Sequence, residues 1–283
     1  MTVSAKVQRV LADGLTYLVL AVGSLAMVFP LLWTLSTSLK TIPQLVGSRI
    51  VLIPDPIAWH NYVELSKRVN VVQQLGNTAT IVVAAEIGAL LVCSMVAYGF
   101  ACIEFRGREL VFVFLLSTMM LPGVVTLVPY FVMWDRLGLV NTFYPLVIPR
   151  FLAHNPFYIF LLRQFFRGLP TDLLDAARVD GCGNLGILRK IVLPMSKPVL
   201  ATVAIFTFQG TWNDFLSPLI YLGGSRDKWT LALGLNALKG FEGETTIHLQ
   251  MAFAVLMILP VLLVFAFGQK YIIQGVAFSG LKG

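Results

Sequence analysis

The chain has 283 residues, 57% of them hydrophobic and only 12% charged. A soluble domain carries about twice that charged fraction, so the composition excludes an ordinary globular protein and indicates a polytopic membrane protein. The net charge of +7 reads as Lys and Arg retained on the cytoplasmic side of spans, and not as a nucleic-acid surface.

A span needs about 20 mostly apolar residues. Six segments qualify in chain order: roughly 14–38, 77–103, 110–133, 143–162, 199–222 and 247–273. The expected fold class is therefore an all-α polytopic membrane protein with about six transmembrane helices. Lys6 and Arg9 precede the first span, but the apolar run is too long for a cleavable leader and lacks a small-residue cleavage site. In the loop that follows, Pro54 and Pro56 force an extended stretch, and Trp59 and Tyr62 suit an interface. The second span carries Glu86 at its middle. Pro122-Gly123 and Pro129 break the third, which fits a hinge or a static packing kink equally. Arg150, His154 and Pro156 interrupt the fourth, and the fifth contains Trp212-Asn213-Asp214. Lys and Arg favour the turn at 104–109 and the loop at 163–198, which places both termini in the cytoplasm.

The cysteines (Cys93, Cys102, Cys182) and histidines (His60, His154, His248) lack disulfide or metal spacing, so no metal site is expected. There is no Gly-x-x-x-x-Gly-Lys-Ser/Thr phosphate loop either.

One loop, 166–198, is polar within this apolar chain. Thr171 reads as the N-cap of a short helix, with Asp172 and Asp175 in its first turn and Gly181 as a left-handed stop. Leu173, Leu174 and Ala177 are expected on one face, and Ala176-Ala177 keep the surface thin. Asp175 and Arg178 are spaced to pair. A second helical pattern, Leu185, Leu188, Ile191 and Val192, ends at Leu193-Pro194, and Pro198 opens the next span. Two helices, a glycine turn and two prolines make a rigid bracket projecting from the cytoplasmic face.

This loop resembles the Glu-Ala-Ala…Gly…Ile-x-Leu-Pro motif of permease subunits of ATP-binding-cassette importers. Here it reads Asp175-Ala176-Ala177, Gly181, Ile191 and Leu193-Pro194 with every spacing kept; the one departure is Asp for Glu at 175. The stretches at 121–142, 209–222, 228–240 and 274–283 resemble the carbohydrate branch, specifically the maltose-type second permease. The resemblance implies a MetI-like fold, with residues 1–283 as one permease domain in a bacterial or archaeal cytoplasmic membrane. It implies import of a sugar or oligosaccharide, the alternative being a polyol or glycerol-phosphate-type solute. It implies as partners a second homologous permease, two ATPase subunits that hold the ATP and Mg, an extracytoplasmic solute-binding protein and the bilayer, with no nucleic acid. The chain itself is implied to be non-catalytic and free of cofactor. Thr171, Asp172, Leu174, Asp175, Ala176, Ala177, Arg178, Asp180, Gly181, Ile191, Leu193 and Pro194 become the ATPase-coupling residues, and the helix at 171–181 the coupling helix. The tail from Gly275 to Gly283 is similar to a segment that reaches between the ATPases.

Ionisable residues in spans are functional candidates. Trp212, Asn213, Asp214 and Glu86 either line the solute path, with the ring stacking on a sugar, or hold helices of two permeases together. An ion-coupled transporter could use Glu86 and Asp214 as a midplane pair, but would leave the bracket without a purpose.

Overall fold

The computed structural model describes residues 3–47, 49–240 and 246–280, and every regular element among them is helical. In chain order these are α1 (Val3–Ser38), α2 (Ile42–Val46), α3 (His60–Arg68), α4 (Val71–Cys102), α5 (Arg108–Ser117), α6 (Gly123–Arg136), α7 (Tyr144–Val147) and α8 (Pro156–Phe166). There follow α9 (Thr171–Val179), α10 (Asn184–Ile187), α11 (Leu193–Met195), α12 (Lys197–Trp212), α13 (Leu216–Leu222), α14 (Leu231–Ala237) and α15 (Ile247–Gly280).

Among the described residues, Leu11–Ser38, Val71–Cys102 and Ile247–Lys270 are each long and apolar enough to cross a membrane alone. Two bent pairs pass the same test only together, and would bring the number to five if each were one span: Arg108–Met120 with Gly123–Arg136 at 95°, and Asn184–Met195 with Lys197–Trp212 at 83°. The first bend falls at Leu121-Pro122, where proline has no N–H to give and restricts the residue before it. The expected fourth span, 143–162, is not one helix. It divides into α7, a 3₁₀ stretch Ile148–Leu152 and α8. Pro145, Pro149 and Pro156 interrupt it, Ala153 turns left-handed at φ 56°, and the Asn155 side chain starts α8 by accepting from the Tyr158 N–H. The expected fifth span also breaks, because α12 ends at Trp212 and α13 begins at Leu216.

The chain forms two compact units, Met1–Asn70 with Leu235–Leu259, and Val71–Gly234 with Pro260–Gly283. In the first, Lys40 is buried beneath Trp33, its Nζ 4.1 Å from the ring centroid, and burial lowers its pKa. Asn61 donates to the Ser38 and Lys40 carbonyls at 2.8 and 2.9 Å, joining the end of α1 to α3. Tyr62 bonds Ser38, whereas Trp59 is exposed.

In the second unit α4 is the spine, packed chiefly against α8 and α12. Ala85, Ala89, Cys93 and Ala97 recur every four residues along α4 and are all buried. Small side chains at that spacing let neighbouring backbones approach closely. At Gly88 a Cβ would stand 2.8 Å from the Phe151 ring and 3.1 Å from the Arg150 carbonyl carbon. The apolar core continues from α4 through Ile159, Leu162 and Phe166 of α8 to Leu174 and Ala177 of α9.

Candidate functional site

The bracket is built from its turns. Pro170, extended at φ −60° and ψ 122°, is the N-cap of α9. Thr171 is therefore the first helical residue and makes no side-chain cap, contrary to the sequence expectation. Proline fixes the entry geometry without needing a side-chain acceptor. Asp172 occupies the first turn, but Asp175 lies beyond it and instead pairs with Arg178 at 2.6 Å. The helix closes as a Schellman turn: Gly181 sits at φ 77°, its N–H donates to the Arg178 carbonyl at 3.0 Å, and the Cys182 N–H donates to the Ala177 carbonyl at 2.9 Å.

The two faces of α9 differ. Leu174 and Ala177 are buried in the core. Leu173, expected beside them, is exposed, because adjacent residues point about 100° apart on a helix. Asp172, Leu173, Ala176 and Asp180 are exposed, and Val179 is 88% exposed. The second arm runs from Asn184 to Met195, one residue beyond Leu193-Pro194. Leu188–Val192 winds as a π-helix just ahead of Pro194, whose nitrogen has no proton for an i−4 carbonyl. Ile187, Leu188 and Val192 are buried, and Ile191 and Leu193 pack at the core's edge.

The carbonyl end of α4 meets this bracket. Arg163 Nε donates to the Phe100 carbonyl at 3.2 Å, Arg178 Nη2 to the Cys102 carbonyl at 3.0 Å, and Arg108 Nη1 to the Ile103 carbonyl at 3.3 Å. Terminal helix carbonyls lack intrahelical donors and attract cations. Arg163 is 3% exposed, bonds Glu109 at 2.6 Å and lies 3.9 Å over the Phe112 ring. Tyr98 donates to Asn184 Oδ1 at 3.3 Å. A cavity of about 600 Å³ beneath α9 includes Glu104, Arg108, Arg167 and Arg178 in its wall.

A second cavity, about 590 Å³, opens where the apolar helices break. Tyr130 and Trp134 of α6, Arg150 and His154 of the interrupted fourth segment, and Asp214, Ser217 and Tyr221 line it. Asp214 accepts from the Ser217 N–H at 3.1 Å, at the start of α13. Of the four expected path residues, only Asp214 lines this cavity. Trp212 is 4% exposed and stacks on Phe208 at 5.3 Å, so its ring offers no open face to a sugar. Asn213 donates to the Gln209 carbonyl at 3.0 Å, capping α12. The Glu86 carboxylate oxygens are buried, with Phe208 of α12 nearby and Arg150 within electrostatic range. Sequence reasoning treated Arg150 and His154 as interruptions; an ionisable residue in an apolar run was itself the signal for a site.

The model of the family described as "Binding-protein-dependent transport system inner membrane component" matches residues 89–278. The chain belongs to this family. It is a multi-pass inner-membrane permease component of such a transport system. The chain is 36% identical over 259 residues to the arabinooligosaccharides transport system permease protein AraQ of Halalkalibacterium halodurans, covering 90% of this chain and 91% of that one. It is 33% identical over 265 residues to the diacetylchitobiose uptake system permease protein NgcG of Streptomyces coelicolor, covering 93% and 87%. Its fold matches a chain of a bacterial ABC transporter involved in import of the acidic polysaccharide alginate, with a TM-score of 0.82, 23% identity, and 96% and 99% of the two chains covered. The backbone of the expected C-terminal tail is helical to Gly280; residues 281–283 lie outside the described residues.

Proposed function

We propose that this chain, acting as one permease domain over residues 1–283, moves a sugar or oligosaccharide across the cytoplasmic membrane, driven by ATP hydrolysis on separate subunits. The observation that carries the reading is the two-faced α9. Leu174 and Ala177 anchor it in the permease core, while Leu173, Ala176 and Val179 stand uncovered between Asp172 and Asp180. A short helix with one buried and one open apolar strip suits seating in another protein. Docking on an ATPase that changes shape with ATP would bias the permease between inward-open and outward-open states. The partners are a homologous permease, two ATPases holding ATP and Mg, and an extracytoplasmic binding protein; both termini lie in the cytoplasm. The named oligosaccharide relatives support the solute class. The solute path passes the cavity at Asp214, Arg150 and Tyr130, where hydroxyl-binding groups and aromatic rings meet.

The test is Ala176→Arg in the purified assembly. Its side chain points outward, so the permease should fold while ATPase co-purification and oligosaccharide uptake into proteoliposomes both collapse. Full co-purification and uptake would refute the coupling role. Labelled oligosaccharides, polyols and glycerol phosphate presented with the cognate binding protein decide the solute class, and uptake of only the last two would overturn the sugar assignment.

A further inference from the structure

We infer that Arg178 is a positioning residue that ties movement of α9 to α4, so that displacement of the bracket is delivered to the spine of the permease. This rests on the coupling role proposed for α9. The guanidiniums of Arg163, Arg178 and Arg108 each take one carbonyl at the end of α4. They differ in origin. Arg108 and Arg163 come from α5 and α8 and share the Glu109 carboxylate, at 3.4 and 2.6 Å. They hold α4 to its own bundle. Arg178 comes from the bracket, and its two ends do separate work: Nη1 bonds Asp175 at 2.6 Å within α9, and Nη2 bonds the Cys102 carbonyl at 3.0 Å.

The apolar contact of Leu174 and Ala177 also joins α9 to the core, but non-directional contact lets surfaces slide. A charge-assisted hydrogen bond has a preferred length and angle and resists that slip. Asp175 fixes the orientation of the guanidinium plane, which gives the carboxylate of the Asp-Ala-Ala triplet a task inside the chain. The Arg178 side chain is 45% exposed, so it stands at the edge that a docked subunit would press. What reaches Cys102 is carried by α4, a 32-residue helix, to the neighbourhood of Glu86 and Gly88.

The experiment compares Arg178→Ala, Arg178→Gln and Arg178→Lys in the complete complex in proteoliposomes with its binding protein. ATPase co-purification, ATP hydrolysis and solute uptake are measured on each. For Arg178→Ala the solute moved per ATP hydrolysed, read on the ATPase that co-purifies, should fall about tenfold, within the usual range for coupling between two sites. Arg178→Lys should recover part of the ratio, since an ammonium reaches one partner but cannot fork between two. If Arg178→Ala does not assemble, Arg178→Gln is read by the same ratio. An unchanged ratio, or uptake and hydrolysis falling in proportion, overturns the inference. If the unmodified complex gives no cross-link between α9 and the ATPase, the coupling role itself fails, whatever Arg178 does.

Discussion

Between Thr171 and Met195 the bracket is made from one continuous stretch, whereas the cavity beside Asp214 is walled by three separate stretches, 123–134, 145–154 and 214–221. The bracket is stiffened by local devices: a proline entry, a Schellman exit and a π turn ahead of Pro194. The cavity exists because helices stop. α6 starts after the 95° bend, the fourth segment breaks at three prolines, and α12 ends at Trp212. A device for passing on force needs turns fixed by local geometry, whereas a polar cavity among apolar helices needs interrupted helix, since broken backbone supplies polar groups at depth.

Substitutions can break this contrast. The largest effect is expected for Leu174→Ala, which empties a core position 6% exposed and should cost about 2–5 kcal/mol in thermal or denaturant unfolding. Leu173→Ala, one residue away on the open face, should change stability by under about 0.5 kcal/mol and yet weaken ATPase co-purification. Equal stability losses in the two would erase the distinction between the faces. Gly181→Val forces a branched side chain into φ 77° and should cost about 1–3 kcal/mol, with uptake lost first. Near-normal uptake in that variant would mean the turn is not a rigid element. In the cavity, Asp214→Ala removes the acceptor for the Ser217 N–H and should cost about 1 kcal/mol. Asp214→Asn keeps an acceptor oxygen, so it should preserve stability and ATPase binding while lowering uptake; unaltered uptake would remove Asp214 from the solute path. The smallest effect is expected for Asp175→Asn, whose partner is an exposed i,i+3 arginine, at about 0.3 kcal/mol of stability. A fall in solute moved per ATP in that variant would sharpen the assignment of Arg178.

The bracket was legible because its information is local. The left-handed stop at Gly181, the Asp175–Arg178 pair and the proline opening of α12 follow from spacing and turn chemistry. Local reasoning erred by a residue or a face where two local rules competed. Thr171 is a good capping type, but Pro170 had already set the entry. Leu173 and Leu174 are equally apolar, and only the position of the core decides which is buried.

The composition of the chain alone determined that it is a helical membrane protein, because apolar runs of span length have few other stable states, and the spacing from Asp175 to Pro194 determined the bracket. Tertiary structure alone decided that Trp212 is packed away on Phe208 while Asp214, Arg150 and His154 share a cavity, and that arginines from α5, α8 and α9 converge on the end of α4. The cavity and the Arg163 and Arg178 bonds join residues distant in the chain. Their partners depend on where each helix breaks and which way it then turns, and no local pattern of side chains encodes that direction.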